Sequence, residues 1–145
     1  ISPVNAIAKA KDFNLAISEV AVPDSKEYTG LLTLEIETGR TRRRVAGSIF
    51  RTDQPHLVEI DDLTLDIVPE GHMIVLTNVD RPGVVGFIGT ILGASSINIA
   101  GYEVGRRAAG GEAVSILTVD ADVPANVLEA IRTNTSILDV RLVKI

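Results

Sequence analysis

Apolar positions recur with two different periods along the second half of the chain. Alternation at every second position predicts strands, and recurrence at about 100° per residue predicts helices. The predicted elements run in the order strand 72–79, helix 84–94, strand 97–106, strand 112–120, helix 124–133 and strand 137–145. This βαββαβ order is typical of a ferredoxin-like α+β domain, with an antiparallel sheet and both helices on one face.

The first half begins with a short amphipathic pattern and continues with alternation. Ser2 and Pro3 are typical of a helix start, and the predicted helix ends near Asp12. Strands are predicted over the segments 14–22, 28–38, 41–50, 56–60 and 63–68. We therefore expect one helix followed by a mostly antiparallel sheet, with tight turns at 39–40 and 61–62.

Pro69, Glu70 and Gly71 form a short breaker-rich segment between these two patterns. We expect two domains, residues 1–70 and residues 71–145, with their boundary in this segment. A chain of 145 residues is long enough for two small domains.

The turn before the predicted helix 84–94 has residues that favour an anionic guest. We expect the Asp80 carboxylate to accept a hydrogen bond from a backbone N–H two or three residues on. Pro82 fixes φ in the first turn, and Gly83 allows close approach to the backbone. The free N–H groups of a helix start then attract an anion.

Three glycines of that helix, Gly86, Gly89 and Gly93, fall on one strip beside a broad apolar arc. Each glycine costs about 1 kcal/mol relative to alanine inside a helix, so we expect a compensating close approach. The approaching group is the protein's own sheet, a second subunit or a ligand. The pattern alone does not choose among these.

Composition excludes several classes of function. The chain has no Cys, which rules out disulfides, thiolate catalysis and thiolate metal sites. Its net charge of −5 gives no support to nucleic-acid binding, and no apolar run approaches the roughly 18 residues that span a membrane. We expect a cytoplasmic protein without nucleic-acid or membrane partners, and the initial Ile indicates a piece of a longer chain.

Patterns of catalytic and metal-binding residues are missing. His56 and His72 fall in separate predicted elements without a spaced carboxylate cluster, so no metal site is expected. The glycine spacing fits neither the dinucleotide fingerprint nor the phosphate loop, and no nucleophile elbow occurs. We therefore expect this chain to be non-catalytic and to hold no cofactor.

Polar side chains at one strand end and one strand start form the candidate ligand site. Asn78 and Asp80 lie two positions apart and project to the same side of their strand, and Asn98 lies between two isoleucines. Asp80 can accept an ammonium group, while asparagine amides and the N–H groups near Gly83 and Val84 can donate to a carboxylate. The pattern favours a small zwitterion, although the same residues also suit plain turn closure.

Five arginines lie within twelve positions, at 40, 42, 43, 44 and 51. Arg42 and Arg44 share one strand face, and guanidinium forks suit phosphate or carboxylate, so these two are a candidate anion site. A charged edge strand that resists aggregation explains the same run. Glu35 and Glu37 would neutralise part of it across the predicted hairpin.

Two segments, N-V-D-R-P-G-V-V-G (78–86) and S-I-N-I-A (96–100), resemble the ACT domain, a βαββαβ module that binds amino acids and regulates metabolic enzymes. V-N-A-I-A, V-A-G-S-I-F, P-E-G-H-M-I-V and the final R-L-V-K-I resemble the C-terminal part of the long-form D-3-phosphoglycerate dehydrogenase family. In that family residues 1–70 would form part of the intervening, allosteric substrate-binding domain. Residues 71–145 would then be the ACT domain.

The resemblance implies that L-serine binds between two ACT domains packed edge to edge in a homodimer or larger homo-oligomer. Asn78 and Asp80 would come from one subunit and Asn98 from its neighbour. Serine would inhibit a catalytic part that uses NAD and that this chain does not contain. Two alternatives remain open, an oligomerisation module without a ligand and the regulatory part of an iron–sulfur L-serine dehydratase.

Overall fold

A computed structural model describes residues 5–21, 30–50 and 53–145 of the chain. These residues form three helices and two antiparallel sheets, so the expected α+β class is confirmed. The helices are α1 (Ala6–Asp12), α2 (Val84–Ala94) and α3 (Ala125–Arg132). The strands are β1 (Leu31–Glu37), β2 (Arg42–Phe50), β3 (Gln54–Ile60), β4 (Leu63–Ile67), β5 (His72–Val79), β6 (Ile99–Arg106), β7 (Glu112–Val119) and β8 (Ile137–Lys144).

The C-terminal sheet, formed by β5 to β8, has the order β6-β7-β5-β8 with every neighbouring pair antiparallel. Helices α2 and α3 pack on one face of it, which confirms the ferredoxin-like βαββαβ arrangement. Ile74 and Leu76 of β5 meet Ile88 and Leu92 of α2 in a fully buried aliphatic core. Each such side chain contributes about 1.5–3 kcal/mol on burial, so the core fixes how β5 leads into α2.

The N-terminal sheet, formed by β1 to β4, has its strands in chain order, and all pairs are antiparallel. The predicted antiparallel sheet is confirmed. Asp61 and Asp62 join β3 to β4 with φ angles of 49° and 64°. Two central residues at positive φ are typical of a two-residue hairpin turn, and aspartate tolerates this conformation.

The strand predicted over 14–22 is wrong for residues 14–21, which follow α1 without entering either sheet. Asn14 adopts a left-handed conformation with a φ of 55°. The Leu15 N–H donates to the Ala10 carbonyl at 2.9 Å, so the chain turns as it leaves α1. Leu15 is itself exposed. An alternating apolar pattern gives a strand only where a neighbouring strand pairs with it, and this segment forms no such pair.

Several sequence features lie outside the described residues. Ser2 and Pro3, which predict the helix start, belong to this group, as do the predicted strand start at 28 and Arg51.

Strand β4 packs on the face of the C-terminal sheet that is opposite the helices. Leu65 of β4 shares a buried cluster with Met73 and Ile116 of the C-terminal sheet. The two backbones approach closely at Gly105 of β6, where an added Cβ would lie 2.8 Å from the Thr64 carbonyl oxygen. The absence of a side chain at Gly105 therefore permits this contact between the two sheets.

Candidate functional site

The candidate site begins where β5 leads into α2. Gly83 is the N-cap residue of α2 and has a φ of 94°, a left-handed conformation that favours glycine. No side chain in the described part of the chain caps this helix, so the prediction that Asp80 caps it is wrong. The N–H groups of Val85 and Gly86 have no acceptor inside the helix, because the carbonyls four positions earlier belong to Arg81 and Pro82, which precede its first turn. The start of α2 therefore presents backbone donors at the positive end of the helix dipole.

Asp80 is held beside this helix start by the hairpin between β6 and β7. Its backbone N–H donates to the Gly111 carbonyl at 2.8 Å, and its carbonyl accepts from the Gly110 N–H at 3.1 Å. Its carboxylate oxygen Oδ2 pairs with Arg106 Nη1. The Asp80 and Arg106 side chains are 24% and 52% exposed. The carboxylate therefore points toward β6, not toward the helix, and the ion pair is open to a ligand.

Asn78 lies beneath this pair in a buried polar chain. Its side chain faces the helices and is 3% exposed. Tyr102 O–H donates to Ser115 Oγ at 3.1 Å, and Ser115 O–H donates to Asn78 Oδ1 at 2.9 Å. Asn78 Nδ2 donates to the Val79 carbonyl at 3.3 Å. Oδ1 therefore faces the Ser115 hydroxyl, and the donor Nδ2 faces the Val79 carbonyl.

Asn98 lies at the opposite end of the C-terminal sheet from Asp80. Its Nδ2 donates to Asp120 Oδ2 at 2.6 Å, and the Asp120 N–H donates to the Asn98 carbonyl at 3.2 Å. The register pairs Val79 with Glu112, whereas Ile99 pairs with Val119, seven positions further along β7. At about 3.3 Å per residue this separates the two ends by roughly 23 Å. Asn78, Asp80, Gly83 and Val84 all lie where β5 leads into α2, and Asn98 lies apart from them. The Val84 N–H, expected to be a free donor, donates to the Arg81 carbonyl at 3.3 Å.

The glycine strip of α2 faces open space. A Cβ added at Gly86, Gly89 or Gly93 would meet no atom within 4 Å in the described part of the chain, apart from the helix's own nearby backbone. The protein's own sheet is therefore not the group that approaches these glycines. A second subunit and a ligand remain as the explanations for three costly helix positions.

Sequence reasoning missed three residues around the site, Arg106, Ser115 and Tyr102. Arg106 lies 26 positions from Asp80, and no local pattern links the two. Ser115 left a usable signal, because it is a polar residue at an inward position of the otherwise apolar segment A-V-S-I-L. A buried hydroxyl needs a partner, and this requirement points to Asn78 on the neighbouring strand.

The arginine-rich strand β2 is neutralised by carboxylates. Arg42 lies 2.6 Å from Glu35 Oε2, and this hydrogen bond holds the pKa of the Glu35 carboxyl below its usual value. Arg44 Nε lies 3.3 Å from Glu59, and Arg44 Nη1 lies 3.4 Å from Asp62. An anion at Arg42 and Arg44 would therefore meet a charge-balanced network. The edge-strand explanation is wrong, since β2 lies between β1 and β3.

An open apolar groove of about 820 Å³ lies on the N-terminal sheet, away from Asp80. Its lining includes Leu32, Leu34 and Ile49, with Ser48 and His56 as its polar side chains. A zwitterion needs charged or strongly polar partners for both of its ends, so this groove does not suit a free amino acid.

The histidines pair with single carboxylates in separate sheets. His56 Nδ1 lies 2.5 Å from Asp66, and His72 Nδ1 lies 3.1 Å from Asp122. Within the described ranges no three or more His, Asp or Glu side chains gather as a metal-ligand set. None of the described helices is long and apolar enough to cross a membrane.

Comparison with known proteins matches both halves of the chain to protein families. Residues 1–61 match the D-3-phosphoglycerate dehydrogenase intervening domain, and residues 72–134 match the ACT domain. D-3-phosphoglycerate dehydrogenases from Methanocaldococcus jannaschii and Archaeoglobus fulgidus are 32% and 33% identical over the whole chain. The enzyme from Bacillus subtilis is 29% identical over 99% of the chain. The chain spans only 27%, 28% and 27% of the lengths of these relatives.

The C-terminal sheet, its two helices and the turn before α2 together define an ACT domain. This domain is joined to an antiparallel sheet that belongs to an intervening domain. Over its whole length the chain is similar to D-3-phosphoglycerate dehydrogenases, and its two halves match their intervening-domain family and the ACT-domain family.

Proposed function

We propose that this chain binds L-serine between two copies of its ACT domain and so regulates a D-3-phosphoglycerate dehydrogenase. Residues 71–145 form the ligand-binding domain in this proposal, and residues 1–70 form part of the intervening domain. Bound serine lowers the activity of the NAD-dependent catalytic part of the longer enzyme, as feedback control of serine biosynthesis. The supporting observation is the separation of Asp80 and Asn98 at opposite ends of one sheet.

Twofold pairing through β6 removes that separation. Strand β6 is an edge of the C-terminal sheet, and an edge strand presents unpaired backbone groups to a second chain. If two β6 strands pair antiparallel about a twofold axis, the start of one strand lies beside the end of the other. Asn98 precedes β6, and Arg106 ends it next to Asp80. Each dimer then has two equivalent sites, each with Asp80 from one subunit and Asn98 from the other.

The site residues match the two charged ends of an amino acid. The Asp80 carboxylate accepts hydrogen bonds from the ammonium group, and the N–H groups of Val85 and Gly86 donate to the ligand carboxylate at the helix start. Asn78 Nδ2 and the amide of Asn98 supply further donors. When Asn98 Nδ2 donates to the ligand instead of to Asp120, the amide still has a hydrogen-bond partner.

Binding across the interface gives serine a way to act on the assembly. A ligand shifts an equilibrium only through different affinities for the two states. A site made from two subunits exists only when those subunits are paired in one arrangement. Serine therefore stabilises that arrangement of the subunits. The catalytic parts of the two longer chains change their relative position with it.

Calorimetric titration of the chain with L-serine, combined with light scattering, tests this function. We expect saturable binding with two serines per dimer, and a dimer fraction that rises with serine concentration. A stable dimer that takes up no serine contradicts the proposal. That result supports the second candidate, an assembly module, which the open glycine strip of α2 favours because tight helix packing needs small residues.

A further inference from the structure

We propose that Arg106 is a ligand-binding residue of this site, and that the Asp80–Arg106 ion pair selects zwitterionic amino acids over simple amines and simple carboxylates. This inference rests on the proposed amino-acid site. It assigns the ligand carboxylate a side-chain partner in addition to the donors at the start of α2.

Both members of the ion pair keep atoms that are free to form hydrogen bonds with a ligand. Among the described residues, Arg106 Nη1 contacts only Oδ2 of Asp80. Within the described residues, Asp80 Oδ1 has no other hydrogen-bond partner, and neither have Nε and Nη2 of Arg106. An arginine carries five N–H donors and an ionised carboxylate accepts at both oxygens. A ligand can therefore contact each member while the pair stays intact.

The charges of the ion pair determine which ligands are attracted to it. An isolated Asp80 would attract any amine, but Arg106 beside it makes the pair neutral, so a lone cation or a lone anion gains little net attraction. A zwitterion laid antiparallel to the pair places its ammonium on Asp80 and its carboxylate on Arg106. Both attractions are then made at short range, while the like charges stay farther apart. The guanidinium fork also suits a carboxylate.

The backbone around both residues is fixed before the ligand arrives. Asp80 is bonded to Gly110 and Gly111 in the β6–β7 hairpin. Arg106 follows Gly105, whose backbone lies against Thr64 of the N-terminal sheet. Preorganised partners lose less conformational entropy on binding. Arg106 also ends the edge strand β6, so it lies where Asn98 of a twofold partner would arrive.

Arg107 provides a matched control at the adjacent position. Its guanidinium points away from the site, with Nη2 lying 3.4 Å from Asp62 Oδ2 in the turn of the N-terminal sheet. Arg106 and Arg107 share charge, type and exposed surroundings. Replacing either by glutamine removes one positive charge, and only the Arg106 change removes the contact to Asp80.

The test is calorimetry of the chain with L-serine and with two probes that each lack one of its charged groups. L-serine carries both charges, ethanolamine lacks the carboxylate, and 3-hydroxypropionate lacks the ammonium. We expect the unchanged chain to bind serine far more tightly than either singly charged probe. We expect Arg106→Gln to weaken serine binding by about 10- to 100-fold, the size expected for a hydrogen bond between charged groups. The same change should strengthen ethanolamine binding, since it leaves Asp80 without its counter-ion.

A merely structural role for Arg106 would weaken all three probes together, so the opposite responses of serine and ethanolamine are the deciding readout. Arg107→Gln is expected to change none of the three affinities beyond twofold. Serine binding to Arg106→Gln within twofold of the unchanged chain overturns the inference and leaves the proposed function standing. Absence of serine binding to the unchanged chain overturns both.

Discussion

Replacing Asp80 by alanine should weaken L-serine binding at least about 100-fold, because the ligand ammonium loses its one carboxylate partner and meets an uncompensated Arg106. The position of residue 80 is fixed by its backbone hydrogen bonds, so removing the carboxylate does not remove the bonds that hold the turn. The bonds from the Asp80 N–H to Gly111 and from the Gly110 N–H to Asp80 stay in place. The turn therefore keeps its shape while its charge is lost, and calorimetry measures the effect directly.

Asp66→Ala is the control for this change. Asp66 has a 65% exposed side chain and pairs with His56 in the N-terminal sheet, so its loss removes one negative charge without removing the counter-ion of Arg106. Neither variant should lose much stability, since each pair has one member that is more than half exposed and such ion pairs contribute about 0–1 kcal/mol. Serine binding to Asp80→Ala within threefold of the unchanged chain would show that the carboxylate is not a ligand-binding group.

Gly105→Ala should lower the free energy of unfolding by about 2 kcal/mol, within the usual 1–3 kcal/mol for an overpacked site. The new Cβ would lie 2.8 Å from the Thr64 carbonyl oxygen and 3.2 Å from Leu63 Cβ. A backbone oxygen cannot rotate away, so β4 as a whole has to move off β6. That movement opens the apolar cluster shared by β4 and the C-terminal sheet. Urea denaturation followed by circular dichroism measures the loss.

Gly101→Ala separates this steric effect from the general cost of changing a glycine in β6. A Cβ at Gly101 would lie 2.6 Å from Thr118 Oγ1, a side-chain atom that a change of rotamer moves away. We expect a clearly smaller loss of stability for Gly101→Ala than for Gly105→Ala. Equal losses in the two variants would mean that the close approach of β4 to β6 does not hold the two sheets together.

Local patterns were sufficient for the elements of the C-terminal sheet. The bounds of β5 and α2 agree with the predicted 72–79 and 84–94, because aliphatic periodicity and the breakers Pro82 and Gly83 act within one turn of chain. The order of the strands followed from the βαββαβ pattern. The same local rules predict a strand over 14–22. The alternation is present there, but residues 14–21 pair with no strand of either sheet.

The parts of the site that escaped prediction depend on contacts between distant residues. Asp80 was expected to cap α2, but its carboxylate pairs with Arg106 across the end of β7, and Gly83 at positive φ starts the helix without a side-chain cap. The edge-strand explanation of the arginine run fails, because edge position depends on the strand order and not on the run of arginines. A sequence pattern identifies which residues can bind, and the tertiary partners decide which of their atoms remain free.

The central claim is that each ligand site takes Asp80 from one subunit and Asn98 from the other, and subunit mixing tests it most directly. Asp80→Ala and Asn98→Ala chains each disable every site in their own homodimers. In a mixed dimer one site carries both substitutions and the other carries neither. After an equimolar mixture is unfolded and refolded, random pairing should restore serine binding in about a quarter of all sites. A mixture that binds no more serine than the two variants do separately would contradict a site shared between subunits.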